Sequence, residues 1–264
     1  MSPVVQPLSK AMLSRLARLA RKKYRDQEGL FLAEGLRTVR ELLDRLPEPA
    51  MLEALVIDER IADDMDWLGP FRRKVWLADR EACSRLAQTT TSQGVFGVFR
   101  KQEEGEFLPG SGQSLVVALD DVQDPGNVGT IIRTAAWFGA DAVICSEGTA
   151  DPYNAKAVRS SAGSIFAIGH YGVKDLAGEL VRLRKAGFMV AAASLEGRDY
   201  RSFDEWPDRR VLVIGNEANG IGAPVLALAD RLIRIPHAGS GKPNVESLNA
   251  SVSAAILLSG LSFV

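Results

Sequence analysis

Ile235-Pro-His-Ala-Gly-Ser-Gly-Lys-Pro-Asn-Val-Glu-Ser-Leu-Asn-Ala-Ser-Val-Ser-Ala-Ala-Ile-Leu-Leu258 reads as a strand end, a loop and a helix. The strand is Arg231-Leu-Ile-Arg-Ile235, and Pro236 stops it because proline cannot donate to a ladder. In the helix, Leu248, Val252, Ala255, Ile256 and Ser259 recur at helical spacing and predict one buried face. The approach to that helix is polar: Asn244, Glu246, Ser247 and Asn249. Ser247 suits an N-cap, since its hydroxyl can accept from a free first-turn N–H. A cap does not account for Asn249 beside it or for so long a loop. Ordinary connections run about 2–6 residues, and longer ones are often functional.

Upstream, apolar segments at Leu115–Leu119, Ala142–Cys145, Ile165–Ile168, Met189–Ala193, Val211–Ile214 and Leu232–Ile235 alternate with helical patterns. Strands apolar on both faces are those of a parallel sheet covered by helices, so residues 113–264 are expected to form a doubly wound α/β domain. Such sheets bind ligands at the carboxyl ends of their strands. The polar residues gather there. Asp120-Asp-Val-Gln-Asp-Pro-Gly-Asn-Val-Gly129 follows the first strand, with Asn127 at a helix start, where it suits an N-cap, and Arg133 six residues on, off the apolar stripe. Gly215-Asn-Glu-Ala-Asn-Gly-Ile-Gly222 follows the fifth; its glycines let backbone approach a ligand, and Glu217 is a charge at a buried strand end that needs a partner. Gly239-Ser-Gly-Lys242 is not a phosphate loop, because Pro243 stands where Ser or Thr is required. No GxGxxG follows the first strand.

Residues 1–104 read as a smaller α/β domain. Short strands at Gly29–Ala33, Leu55–Ile57, Val75–Leu77 and Gly94–Phe99 alternate with helices at Gly35–Arg45, Arg60–Trp67 and Arg80–Ala87. Before them, residues 1–25 carry Lys10, Arg15, Arg18, Arg21, Lys22, Lys23 and Arg25 without one acid. Arg15, Arg18, Lys22 and Arg25 line one side of a helical pattern whose other side is Leu13, Leu16, Ala17, Ala20 and Tyr24. That polar face is either ordinary solvated charge or a phosphate-contacting surface. Thr89-Thr-Thr-Ser-Gln-Gly94 is either a plain turn or a polar contact to RNA backbone. The tract Lys101–Gln113 is polar and rich in Gly, Pro and Ser, an interdomain linker with residues 105–112 at its centre.

With 264 residues, 46% hydrophobic and 25% charged, the chain has the composition of a globular protein; no apolar run is long enough to span a membrane. The net charge of −1 does not mark a nucleic-acid binder, so the basic amino-terminal cluster carries what signal there is. Cys83 and Cys145 lack CxxC spacing and suit a reducing, cytoplasmic compartment. With two cysteines and two histidines, no metal site is expected.

The three polar loops together resemble the motifs of the SpoU (TrmH-type) RNA 2′-O-methyltransferases of the SPOUT superfamily, in family order. Asp124-Pro-Gly-Asn-Val-Gly-Thr-Ile-Ile-Arg-Thr-Ala135 resembles the first motif and Ile214-Gly-Asn-Glu-Ala-Asn-Gly-Ile221 the second. The opening stretch resembles the third. Arg25-Asp-Gln-Glu-Gly-Leu-Phe-Leu-Ala-Glu-Gly35 resembles the substrate-binding domain, related to small ribosomal proteins, that precedes many rRNA-modifying members. The resemblance implies a trefoil-knotted methyltransferase domain, S-adenosylmethionine as cofactor and a homodimer with active sites at the subunit interface. It implies Arg133 as the central catalytic residue, with Asn127, Glu217, Ser247 and Asn249 around it. It places the cofactor against Gly215, Asn216, Gly220, Ile235 and Leu248, near Ser194.

A 2′-hydroxyl must lose its proton as it attacks a sulfonium methyl in line, so the protein must align two groups and accommodate a developing alkoxide. A guanidinium stays protonated at any working pH, which suits Arg133 to stabilising that alkoxide and an adjacent phosphate rather than to base catalysis. The expected substrate is large-subunit rRNA of the 23S type. The alternatives are a tRNA 2′-O-methyltransferase and a noncatalytic RNA-binding or ribosome-assembly protein that retains the fold.

Overall fold

The computed structural model describes residues 6–62, 66–102, 105–238 and 246–262. Lys242, Pro243 and Asn244 lie outside the described residues. The chain divides into two units, Met1–Glu103 with Tyr153–Phe166, and Glu104–Pro152 with Ala167–Val264.

The first unit runs β1 (Gln6–Pro7), α1 (Lys10–Arg18), α2 (Lys22–Glu28), β2 (Leu30–Glu34), α3 (Leu36–Leu43), β3 (Leu52–Asp58), β4 (Val75–Ala78), α4 (Arg80–Leu86) and β5 (Val95–Arg100). Its sheet has the order β1-β4-β3-β5-β2, with β5 antiparallel to both neighbours. Leu13, Leu16 and Leu19 pack with Leu32, Val56, Phe96 and Val98. Each such side chain contributes about 1.5–3 kcal/mol by leaving water. The basic segment is therefore anchored by an apolar stripe, but as two helices broken around Leu19–Arg21, not one. The helix expected over Arg60–Trp67 does not form: 3-10 turns at Glu59–Ile61 and Asp66–Lys74 take its place, the second kinked at Gly69 and Pro70.

The second unit begins with β6 (Ser114–Asp120), α5 (Pro125–Trp137) and β7 (Ala142–Ser146). The next helix, α6 (Ala155–Ser161), belongs to the first unit, where it packs on β2. The chain returns as β8 (Gly169–Val173), α7 (Leu176–Lys185), β9 (Met189–Asp199), β10 (Arg209–Gly215), α8 (Ala223–Leu226), β11 (Arg231–Arg234) and α9 (Ala250–Leu261). The strand expected at Ile165–Ile168 is thus displaced to Gly169–Val173. Ile165 and Phe166 are buried for a different reason: Phe166 joins Phe31, Phe99 and Tyr153 in an aromatic cluster, with Phe31–Tyr153 centroids 4.9 Å apart.

All pairings in the six-stranded sheet are parallel, in the order β11-β9-β10-β6-β7-β8. One face carries Val116, Ala118, Ile144, Val190 and Val213, and Leu180 of α7 joins their core cluster. α5 and α9 pack against each other. β6 and β10 lie side by side at the centre, and their onward connections leave in opposite directions, to β7 and to β11 beyond β9. That is the switch point at which open α/β sheets hold ligands. No helix among the described residues is long and apolar enough to cross a membrane.

The last helix presents the face opposite to the one its periodicity suggests. Ala250, Ala254, Leu257, Leu258 and Leu261 are buried, whereas Leu248 and Val252 are 45% and 46% exposed and Ser259 faces solvent. The helix is apolar almost all round, so spacing alone does not select the buried stripe.

Candidate active site

At the carboxyl end of β6, Asp124 caps α5: its Oδ1 accepts from the N–H groups of Gly126 (2.6 Å) and Asn127 (3.3 Å), and Pro125 occupies the first turn. Asn127 is therefore not the cap, and its side chain is free for other work. Its Nδ2 donates to Glu217 Oε1 at 2.8 Å, and its Oδ1 accepts from Asn249 Nδ2 at 3.0 Å. Glu217 is exposed, so the buried charge expected at this strand end does not occur; the hydrogen bond orients the carboxylate rather than offsetting its burial. The backbone N–H of Gln123 adds a longer contact to its second oxygen, 3.4 Å.

Asn249 is the cap of α9, with Oδ1 accepting from Ser251 N at 2.9 Å, Val252 N at 3.3 Å and Ser251 Oγ at 2.7 Å. Ser247, the residue that suited this role, is exposed two residues earlier. One asparagine thus does two jobs: it terminates the helix and turns its amide toward Asn127. Three loops far apart in sequence are joined by a single line of amides ending on a carboxylate.

The loop after β10 is folded by Asn216 and Gly220, whose backbones bond reciprocally at 2.9 and 3.0 Å. Gly220 has φ of 69°, and a Cβ there would meet nothing within 4 Å; a Cβ at Gly215 would lie 2.4 Å from the carbonyl carbon of Gly220. Gly215 thus lets the Gly220 backbone pack directly against it, and Gly220 supplies the left-handed turn that folds the loop back. The Asn216 side chain is buried and committed to protein. Its Nδ2 donates to Asp121 O (2.8 Å) and Oδ2 (3.1 Å), and its Oδ1 accepts from Ala218 N (2.8 Å) and Asn219 N (2.9 Å).

Ser194 lies in an irregular part of β9. Pairing with β11 jumps from Ala192–Leu232 to Arg198–Ile233, so Ala193–Gly197 bulges out, and Ser194 Oγ accepts from Glu196 N at 3.3 Å. Ile235 directly follows β11 and is half-buried; Leu248 directly precedes Asn249. Gly215 and Ile235 therefore stand at the ends of β10 and β11, and Ser194 lies within β9, just past the residues that pair with β10. Arg133 is exposed on α5 and makes no hydrogen bond or ion pair among the described residues. Its guanidinium is available to an incoming anion.

Neither cysteine is a nucleophile. Burial pushes the Cys145 thiol at the end of β7 up to about 12, and burial, with the Asp58 carboxylate next in weight, raises Cys83 to about 11. Both stay protonated thiols. What the structure brings together is two amides and one carboxylate, Asn249, Asn127 and Glu217; no hydrogen bond among the described residues ties Arg133 to them.

In the first unit, the four basic residues fare differently. Arg25 is 4% exposed, and its Nη1 donates to the carbonyls of Leu19 (2.8 Å) and Ala20 (3.0 Å), closing the turn between α1 and α2. Arg15 pairs with Glu28 and, more loosely, with Glu53 at 3.8 Å. Arg18 is exposed and lies over the Tyr24 ring at 5.1 Å; Lys22 is exposed. Of the four, Arg18 and Lys22 are the exposed ones.

Two residues with no distinguishing pattern in the sequence belong to the site's frame. Asp120 Oδ2 accepts from Gly222 N at 2.7 Å, and Asp121 receives Asn216 as described. Acids at a strand end signal only polarity until their partners are seen.

This geometry has counterparts among known proteins. Residues 114–259 match the SpoU rRNA methylase family, and residues 11–97 match the MRM3-like substrate binding domain. The chain is 34% identical over 244 residues to the Bacillus subtilis 23S rRNA (guanosine(2553)-2′-O)-methyltransferase RlmP, covering 91% of this chain and 92% of that one. An AdoMet-bound rRNA methyltransferase from Sinorhizobium meliloti superposes with a TM-score of 0.79 at 32% identity, over 97% of this chain and 96% of that chain. The SpoU methyltransferase AviRb from Streptomyces viridochromogenes, at 24% identity over 96% and 97% of the two chains, shares the fold with a TM-score of 0.82. With its three loops joined at the switch point of a parallel sheet, and with a match spanning that sheet from β6 into α9, the chain belongs to the SpoU rRNA methylase family.

Proposed function

We propose that this protein transfers a methyl group from S-adenosylmethionine to a ribose 2′-hydroxyl of large-subunit rRNA. The observation that carries the reading is the line Asn249–Asn127–Glu217, which ties the three loops of a SpoU family member into one site. When bound, the cofactor supplies an electrophilic sulfonium methyl. The backbone at Gly215, Gly220, Ile235 and Leu248, with Ser194 alongside, is where it would be held; Asn216 contributes by shaping that backbone. Asn127 and Asn249 orient the ribose. Arg133 stabilises the 2′-alkoxide and grips the neighbouring phosphate, and the proton departs to phosphate, Glu217 or water. Ser247, exposed beside Asn249, completes the substrate side.

Residues 1–104 act in this reading as the RNA-binding domain, 105–112 as linker and 113–264 as the catalytic domain, with the trefoil knot of the SPOUT superfamily and a cytoplasmic location. The working unit is a homodimer. Support for it comes from apolar exposure on α5, α9 and the approach to α9: Trp137 is 84% exposed, and Val252 and Leu248 are nearly half exposed. Apolar exposure of that kind marks an interaction surface.

The test is transfer of tritium from methyl-labelled S-adenosylmethionine to total RNA from cells lacking the protein, followed by alkaline hydrolysis. A ribose-methylated product resists cleavage 3′ to the modified nucleotide. Label confined to bases, or to tRNA, would overturn the reading.

A further inference from the structure

We propose that Asp120 and Asp121 are positioning residues for methyl transfer, which together fix both ends of the loop that carries Glu217. The inference rests on the proposed function and extends it to residues outside the reacting groups.

Consecutive aspartates hold opposite ends of Asn216–Gly222. Asp121 takes the first end, through its carbonyl and Oδ2 to Asn216 Nδ2 at 2.8 and 3.1 Å. Asp120 takes the last end, through Oδ2 to Gly222 N at 2.7 Å. Asn216 then passes the constraint inward, since its Oδ1 accepts from the N–H groups of Ala218 and Asn219 on either side of the turn. Glu217 sits inside that clamp, and its Oε1 accepts from Asn127.

Asp121 does this from a left-handed backbone, with φ of 58°. Non-glycine residues rarely adopt that region, and such strain persists where surrounding structure over-determines it. Here two neighbouring strand ends and a glycine do so. Asp121 N donates to Ser146 Oγ at the end of β7 (2.9 Å), Asn216 binds it from the end of β10, and Gly148 leaves room for its carboxylate: a Cβ at Gly148 would lie 2.1 Å from Asp121 Oδ1. The left-handed turn points the Asp121 carbonyl and carboxylate at Asn216, with a longer contact from Gln123 Nε2 to Oδ2 at 3.4 Å. Without it the loop would keep its backbone turn but lose its registration against Asn127, and a misplacement of about 1 Å is enough to cost a rate of about 10²-fold.

Three variants separate the contributions. Asp121→Asn tolerates positive φ and keeps an acceptor, Asp121→Gly keeps the backbone but not the carboxylate, and Asp121→Ala loses both. Single-turnover methyl transfer at saturating RNA and S-adenosylmethionine is measured per cofactor-binding site, with thermal unfolding alongside. The expected order is wild type and Asn together, then Gly, then Ala slowed by about 10- to 100-fold, with cofactor affinity changing far less. Asp120→Ala, which frees the Gly222 end alone, is expected to fall beside Gly. A purely structural role would lower the unfolding temperature of the Ala variant and leave its rate per site at the wild-type value, which would overturn the proposal; so would an Asn variant as slow as Ala. Should the Ala variant not fold, the Gly and Asp120→Ala variants decide in the same way. Absence of transfer by the unmodified protein would overturn the functional reading itself, a separate outcome.

Discussion

The Asn249 amide donates to Asn127 Oδ1 at 3.0 Å while the Asn249 carbonyl oxygen caps α9. These two jobs separate on substitution. Asn249→Asp keeps a capping oxygen but has no donor for Asn127; Asn249→Ala loses both. The Ala variant is expected to lose about 1 kcal/mol of stability and the Asp variant little of it. Both are expected to transfer methyl groups at least about 10-fold more slowly, since the site is misaligned in each. Urea unfolding and single-turnover assays on the same preparations check this, and an Asp variant with unchanged rate would remove Asn249 from the site.

The basic amino-terminal segment gives a second contrast. Replacing Arg18 and Lys22 with Gln is expected to weaken RNA binding and to reduce the slope of log affinity against log salt by roughly 1–2. Arg25→Gln is expected to leave the slope alone and to cost about 1–3 kcal/mol of stability, because two carbonyls lose a charged donor. Filter binding across a salt series distinguishes them. An Arg25 variant that flattens the slope would contradict the buried assignment.

Trp137 lies one turn beyond Arg133 on α5 and is almost wholly exposed. Trp137→Glu is expected to convert a dimer into a folded monomer and to abolish methyl transfer. Sedimentation velocity at micromolar concentration reports the first change. A wild-type protein that sediments as a fully active monomer would contradict the dimeric site.

In the first unit, the Arg60 guanidinium and backbone N–H hold the Asp58 carboxyl down to about 2, below its ordinary 3.8. A depressed folded-state value means that the contribution is present above the unfolded value and is lost as pH falls through the folded one. Asp58→Asn is therefore expected to be destabilised at pH 7, with the gap closing between about pH 4 and about pH 2. Unfolding curves at pH 7, 5 and 3 test the sign. A gap that widens toward acid would exclude it.

The parallel sheet was legible because strands buried on both faces are continuous apolar runs, and the site because its polar loops follow those runs. Local patterns failed where burial had another cause. Ile165 and Phe166 look like strand residues but fill an aromatic cluster in the first unit. The stripe Leu248–Val252–Ser259 looks like a core face but is the exposed side of a helix apolar all round. Capping preference pointed to Asn127 and Ser247, whereas Asp124 and Asn249 cap the two helices. Each of these residue types can serve either role, and only the fold decides which one is left free. Asp121 shows the limit most clearly: its left-handed backbone and its grip on Asn216, 95 residues away, leave no local pattern.

Arg133 is the cation on which the account depends, exposed on α5 and unpaired among the described residues. Single-turnover transfer from methyl-labelled S-adenosylmethionine to the rRNA substrate, at saturating cofactor, tests that dependence most directly. Arg133→Ala is expected to fold and to bind the cofactor as wild type does, yet to transfer about 10²–10³-fold more slowly, the usual loss for one preorganised charge-stabilising donor. Arg133→Lys is expected to restore little, since a point charge does not reproduce the planar fork. Transfer by Arg133→Ala at the wild-type rate would contradict the account.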